Sequence, residues 1–385
     1  MDKQMKGSNL KKIGALLPWL WLAAGYVLDI WFQLVPGKWI VDSDLASDMI
    51  LANILNKEHS FFSYSWYYST EIKAVGLHWF YKLGLLIFPN DWHLARVFGM
   101  VIALLLYSVA VLLLTRCMGL GKIGVWMAGA LLWPFGRRYL VYAIYGGYYL
   151  VYTFFYILVL YFMFKSVEKS GKARIKWCAL ACIVSLAACL NGVKQLMVFQ
   201  APLILAVMIL LLLALSDSKK TDWRSALQAC DTEVWLTIEV VATTFAGLVG
   251  YIIDTKVLAA HYAFKSFSGV TWNRFGMDWT LDRALMDFFH EFGYQDGVGV
   301  FHFSGIASGV GLLIGAWVFF CIVRLVWRYK KLNVAQRLMT LLMLTMLAVC
   351  GIAYTYFGNY CQYFWLTCMP VAIAVMMIEI KTEDL

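Results

Sequence analysis

Long unbroken apolar runs constrain this chain more than any other feature. A hydrocarbon layer of about 30 Å takes roughly 20 apolar residues in a helix. Runs near that length recur from one end of the 385 residues to the other. They are continuous rather than alternating, which excludes a membrane-spanning β-barrel. Lipid offers backbone groups no partner, so each run must satisfy its own amides as a helix. Composition agrees: 62% of residues are hydrophobic and 14% are charged, where a soluble domain carries about 25% charged residues. Such an excess cannot be hidden in one water-soluble core. The fold class expected is an all-α polytopic membrane protein.

About ten spans are expected, at 13–36, 92–115, 123–136, 146–164, 175–191, 196–215, 234–254, 303–325, 338–357 and 361–380. The third is short and runs on toward the aromatic stretch 139–149. The first follows several lysines but lacks a small-residue cleavage site, so it reads as a retained span. Charge then orients the chain. Inner segments hold Lys3, Lys6, Lys11 and Lys12, then Arg116 and Lys122, then the cluster from Lys165 to Lys176. They also hold Lys219, Lys220 and Arg224, the five basic residues from Arg324 to Arg337, and Lys381, together 20 of the 32 basic residues. The positive-inside rule therefore puts both termini in the cytoplasm. The net charge of +9 reads as this topology signal plus contact with anionic membrane lipids, not as nucleic-acid binding. The nine cysteines show no CxxC pair and lie mostly in apolar runs, as Cys178, Cys182 and Cys189 do; they read as small hydrophobes. His261, His290 and His302 lack zinc spacing. With no linker or repeat, 1–385 is expected to be one domain.

Two outer loops are long, about 37–91 and about 255–302, and both are rich in aromatics and carboxylates. Long ordered loops usually carry function. The first begins Asp42-Ser43-Asp44 and passes into a helical pattern over 46–55, with Leu45, Met49 and Ala52 on one face and Asp44 and Asp48 on another. Asp42 or Ser43 can cap this helix, which is too short to span and should lie on the membrane surface. A carboxylate at the end of a span needs a partner or a use. One could be a general base; two could hold a divalent metal. Further on, Glu71 and Lys73 stand among tryptophans and tyrosines, ahead of a second apolar helix over 74–88 that His78 and Lys82 interrupt. An interfacial aromatic belt explains the rings but not the charge pair. In the second loop, 281–292 reads as an amphipathic helix with Leu285, Phe288 and Phe289 on one face, and Asp282, Asp287 and His290 off it.

This order of features resembles the GT-C class of membrane glycosyltransferases, which includes protein mannosyltransferases, the lipid A aminoarabinose transferase and related bacterial enzymes. In that class one span leads to an acidic motif, two surface helices, a short charged motif and an arginine opening the second span. Asp42-Ser43-Asp44 stands at the acidic motif, Glu71-Ile72-Lys73 resembles the charged motif, and Asp91 to Arg96 resembles the opening of the second span. Leu114-Thr115-Arg116 with Gly119 and Gly121, Leu190 to Gln195, and Tyr360 to Tyr363 with Pro370 resemble later segments. The chain departs from the class in separating its two acids by Ser43 and in placing Ala74 where the class has proline.

The resemblance implies a GT-C-like fold and an inverting transfer of a sugar from a polyprenyl-phosphate carrier to a glycan, lipid or protein acceptor on the outer face, with a bacterial plasma membrane as the expected setting. The base must be a carboxylate at hydrogen-bond distance from the acceptor hydroxyl. Asp44 is the first candidate, at a helix end that favours its charge; Asp42 is its rival, with Asp48 and Glu71 behind them. The class also admits a metal bridging Asp42 and Asp44. The leaving lipid phosphate needs positive charge, for which Lys73, Arg96, Arg137, Arg138, Lys194, Lys265 and Arg274 are candidates, with Glu71 beside them in the charged motif. Two other readings stay open: a transporter or flippase of lipid-linked sugars, and a non-catalytic GT-C-like scaffold.

Overall fold

The computed structural model describes residues 2–69, 72–133, 136, 139–218, 222–265, 281–299, 301–357 and 361–383. These residues are overwhelmingly helical. Helix α1 (Asp2–Leu34) leads through a single 3₁₀ turn, Pro36–Trp39, to α2 (Ser43–Lys57) and, after β1 (Tyr68–Ser69), to α3 (His78–Ile87). There follow α4 (Trp92–Cys117), α5 (Ile123–Ala130), α6 (Leu150–Val167), α7 (Gly171–Cys189), α8 (Ala201–Asp217), α9 (Trp223–Ala229) and α10 (Asp231–Ile252). Helix α10 runs on through a π-helical segment to His261, and strand β2 (Phe264–Lys265) follows. The chain closes with α11 (Leu281–Glu291), α12 (Phe303–Trp327), α13 (Val334–Phe357) and α14 (Cys361–Glu383).

Among the described residues seven helices, not ten, are long and apolar enough to cross a membrane: 14–39, 92–117, 150–167, 196–217, 231–261, 303–327 and 334–352. The run expected as a third span forms only α5, eight residues long, before the chain turns at Leu131. The run at 175–191 forms α7, whose first turns carry Lys172, Arg174 and Lys176. The run at 361–380 forms α14, of 23 residues.

Three π-helical segments, Leu140–Tyr145, Leu196–Gln200 and Ile253–Leu258, all lie at the end of the bundle that carries the two long loops. Such segments concentrate at functional sites, because the extra residue per turn re-aims side chains. The first explains why 139–149 does not extend a span. It ends at Gly146-Gly147, and Gly147 at φ +61° reverses the chain where a Cβ would be strained.

The first long loop is built onto the bundle by close backbone packing. Helix α3 lies against the start of α4. A Cβ on Gly84 would run into the carbonyl of Ala95, and one on Gly99 would meet Phe80 O at 2.8 Å. Glycine at both positions lets the two backbones touch. Helix α2 packs on α3 in turn, and β1 pairs with β2 in parallel, Tyr68 opposite Phe264 and Ser69 opposite Lys265. The two long loops are thus one tied structure. In α11 the buried face is rotated from the expected one: Asp287, Phe288, Glu291 and Phe292 are buried and Leu285 is exposed. The buried carboxylate of Asp287 is held by His290, at 3.0 Å, which removes the cost of placing it inside.

Candidate active site

The chain leaves α1 and turns into α2 at Asp42. Its backbone is extended and its carboxylate accepts the Leu45 N–H at 3.0 Å, an N-cap. The same oxygen accepts the hydroxyl of Tyr148, which comes from the turn after the first π segment. Burial, and then the bond to Asp42, raise the Tyr148 pKa well above its usual value, so the phenol stays protonated and donates. Asp44 lies in the first turn of α2, exposed, with no hydrogen bond or ion pair among the described residues. Asp48, one turn further, is buried and pairs with Lys73 at 2.8 Å. Lys73 is partly exposed.

The carboxamide of Asn191 accepts the Val75 N–H at 3.0 Å and donates to the Val75 carbonyl. That double bond ties the end of α7 to the segment carrying Lys73. Tyr152 donates to the Asn191 carbonyl at 3.1 Å. The ammonium of Lys194 lies over the rings of Tyr149 and Tyr152, 5.6 and 5.7 Å from their centroids.

Asp48, Lys73, Tyr148, Tyr152 and Asn191 line one cleft of about 340 Å³. A second, apolar pocket of about 390 Å³ adjoins it between α4 and α6, walled by Phe80, Ala103, Leu106, Leu150, Phe154 and Phe155. Val75, Gly76, Leu77 and Val151 line both. Leu106 is exposed on the bundle's flank. It stands 14 residues along α4 from Trp92, about 21 Å at helical rise, so the apolar part reaches deep into the membrane layer. The whole is amphipathic: polar at its head, greasy along its tail.

Arg96 does not join this cleft. It is buried, its guanidinium donates to the Gln33 side-chain and main-chain oxygens, and it stacks on Tyr145 at 4.8 Å. The Gln33 carboxamide also donates to Ile144 O at 2.8 Å. Arg96 therefore anchors the exit of α1 and the first π segment, which positions Tyr148, and is committed there rather than open to phosphate. Glu71, Arg137, Arg138 and Arg274 lie outside the described residues, and Lys265 stands in β2. Of the sequence candidates, Asp42 reaches the cleft through Tyr148, and Lys73 lines it.

One Asp42 oxygen accepts two hydrogen bonds, and among the described residues no group of three or more acids, histidines or cysteines is placed to hold an ion.

Comparison with solved structures finds the archaeal oligosaccharyltransferase AglB from Archaeoglobus fulgidus, in complex with an inhibitory peptide and a dolichol-phosphate. The TM-score is 0.53 at 12% identity, over 96% of this chain and 50% of that one. The likeness is one of fold, and the helical bundle is GT-C-like. This chain spans about half the length of that protein. No protein-family profile and no curated relative matches the sequence.

Within this GT-C-like fold the sequence reading missed Tyr148, Tyr152 and Gln33. The signal for the two tyrosines was the aromatic residues that follow the turn at 146–147; that for Gln33 was a polar residue inside the last turn of α1. It also missed Asp29, buried inside the first span with neither carboxylate oxygen hydrogen-bonded among the described residues.

Proposed function

We propose that the chain is an inverting glycosyltransferase that moves a sugar from a polyprenyl-phosphate carrier to a hydroxyl acceptor at the outer face of the membrane. The observation that carries the reading is a pair of adjoining pockets. A polar chamber with Lys73, beside Asp42, shares the wall of Val75, Gly76, Leu77 and Val151 with an apolar groove between two spans. A phosphate-linked sugar on a long isoprenoid tail is amphipathic in the same sense. The fold neighbour, solved with a dolichol-phosphate, adds support at the level of the fold.

The chemistry follows from the placement. Asp42 takes the proton from the acceptor hydroxyl as its oxygen bonds to the anomeric carbon. The bond from that carbon to the phosphate oxygen breaks on the opposite side, and the phosphate keeps the electron pair. Asp42 is preferred to Asp44 as base because its carboxylate, exposed as that of Asp44 is, touches Tyr148 in the cleft wall. The hydrogen bonds it accepts from Tyr148 and from the Leu45 N–H fix the position of this carboxylate at the edge of the cleft. Lys73 has three N–H donors and gives one to Asp48. The other two, with Lys194, stabilise the leaving phosphate, where charge-assisted hydrogen bonds are strongest.

A second reading, a flippase of lipid-linked sugars, has one observation in its favour: the buried Asp29, since acids inside spans are functional by default. The test separates the two. Purified protein in liposomes is given radiolabelled polyprenyl-phosphate sugars and membrane acceptors. Label transferred to an acceptor supports the transferase. Carrier flipping with no transfer from any donor supports the flippase and overturns the transferase.

A further inference from the structure

Away from the cleft, the far end of α2 carries a second organised surface. Tyr64 is 74% exposed and Tyr67 58% exposed. The ring of Tyr64 lies 4.8 Å from that of Tyr262, tilted by 30°, and Phe62 and Tyr68 close on Tyr262 from two other sides at 5.2 and 6.1 Å. This is not a loose loop. Tyr68 N–H donates to Ala263 O at 2.8 Å, where β1 meets β2, and Leu51, Leu55, Tyr68 and Ile72 form a small core beneath. A carboxylate stands at the rim. Glu58 accepts Ser63 Oγ at 3.0 Å and Ser60 Oγ at 3.4 Å, and Ser65 Oγ as well. The serine hydroxyls hold its pKa below the usual carboxylate range, so it is ionised at neutral pH. Tyr64 sits between two of these serines.

An aromatic belt at the lipid headgroups accounts for exposed rings, but not for a carboxylate held by three serine hydroxyls beside them. The helical run from Asp231 to His261 has 31 residues, and its first residue pairs with Arg174 at the basic end of the bundle, at 3.3 Å. Tyr262, one residue beyond the run, stands at its opposite end, with the two long loops. Exposed rings with polar tips, flanked by hydroxyls and a fixed carboxylate, match a saccharide: ring faces take its C–H surfaces and Glu58 takes its hydroxyls.

We propose that Tyr64, Tyr67 and Tyr262, with Glu58 at the rim, form a binding platform for an extended saccharide. Length follows from the helix between the two sites. Asp42 caps one end of α2 and Glu58 the other, with the 15 residues of the helix between them, about 24 Å from cap to cap at helical rise. No monosaccharide spans that distance. Resting on the transferase reading, the acceptor is then a glycan of several sugar residues, gripped on the platform with its growing end at Asp42.

The test needs no donor. Full-length protein in nanodiscs is titrated with fluorescent chitohexaose, maltohexaose, cellohexaose and α-mannohexaose, and with the matching monosaccharides, by fluorescence anisotropy. At least one hexaose is expected to bind and the monosaccharides are not. The double variant Tyr64→Ala, Tyr67→Ala should weaken that binding about tenfold or more, and Tyr64→Phe, which keeps the ring, should retain it. Hexaose binding that ignores the double alanine variant, or no binding by any hexaose, overturns the platform. Protein that binds a hexaose through these tyrosines yet transfers no sugar keeps the platform and removes the transferase.

Discussion

At the scale of single residues, the cleft is made by side chains whose charge states differ through burial. Tyr148, whose pKa is raised by burial and then by its bond to Asp42, is a protonated donor to the Asp42 carboxylate. His78, behind Lys73 in α3, is the opposite case. Burial, reinforced by the charges of Lys73 and Lys82, pushes its pKa down to about 3, so the ring is neutral inside the fold. The unfolded chain binds a proton near the ordinary value of 6.5. Above pH 6.5 the two states hold equal protons and His78 adds no pH dependence. As pH falls from 6.5 toward 3, only the unfolded state gains the proton, and stability is lost. Thermal melting of His78→Gln is expected to fall less steeply than wild type between pH 6.5 and 4; parallel slopes would contradict this. Such a state was invisible in sequence. His78 stood in an apolar helix where burial and exposure were equally open, and only the packing of α3 on the bundle decides it.

At the scale of elements, the site depends on how the first loop is clamped to the spans. The clamp has three parts: glycine contacts between α3 and α4, the Asn191 bridge from α7 to Val75, and the β1–β2 pair. Gly84→Ala forces α3 off the Ala95 carbonyl and is expected to cost about 1–3 kcal/mol, as overpacking does. It should lower the melting temperature, whereas Gly309→Ala in α12 adds a Cβ that meets nothing within 4 Å and should not. An equal or smaller loss at Gly84 would contradict the close approach. Much of this level was legible. The α2 helix and its Asp42 cap follow from local chemistry, namely an acid just before an apolar-periodic segment. The π segments were not. Their departure from regular helix comes from tertiary demand at the loop end, and local propensity carries no mark of it. The same limit made 123–136 look like a span, since an apolar run says nothing about where it will turn.

At the scale of the whole molecule, the membrane runs past one long amphipathic site. Apolar runs and basic segments sufficed to expect an all-α membrane bundle, and the resemblance of its first-loop motifs to the GT-C class made that bundle GT-C-like. The likeness to AglB in fold agrees, at an identity of 12% that leaves few shared motifs to read. What sequence could not show is the groove. Its walls come from 75–80, 103–106 and 150–155, far apart in the chain and apolar like their surroundings. If the groove holds the carrier tail, Leu106→Trp should narrow it and raise KM for long-chain polyprenyl donors at least several-fold, with little effect on a short-chain, water-soluble donor. Equal effects on both donors would contradict that use. The central claim is that Asp42 is the base of a sugar transfer in the polar cleft. It is tested most directly by single-turnover transfer from a radiolabelled polyprenyl-phosphate sugar, in wild type, Asp42→Asn and Asp44→Asn, with carrier binding measured alongside. Asp42→Asn is expected to bind carrier and lose about 10²–10⁴-fold in rate, and Asp44→Asn to lose far less. Transfer by Asp42→Asn at the wild-type rate would contradict the claim.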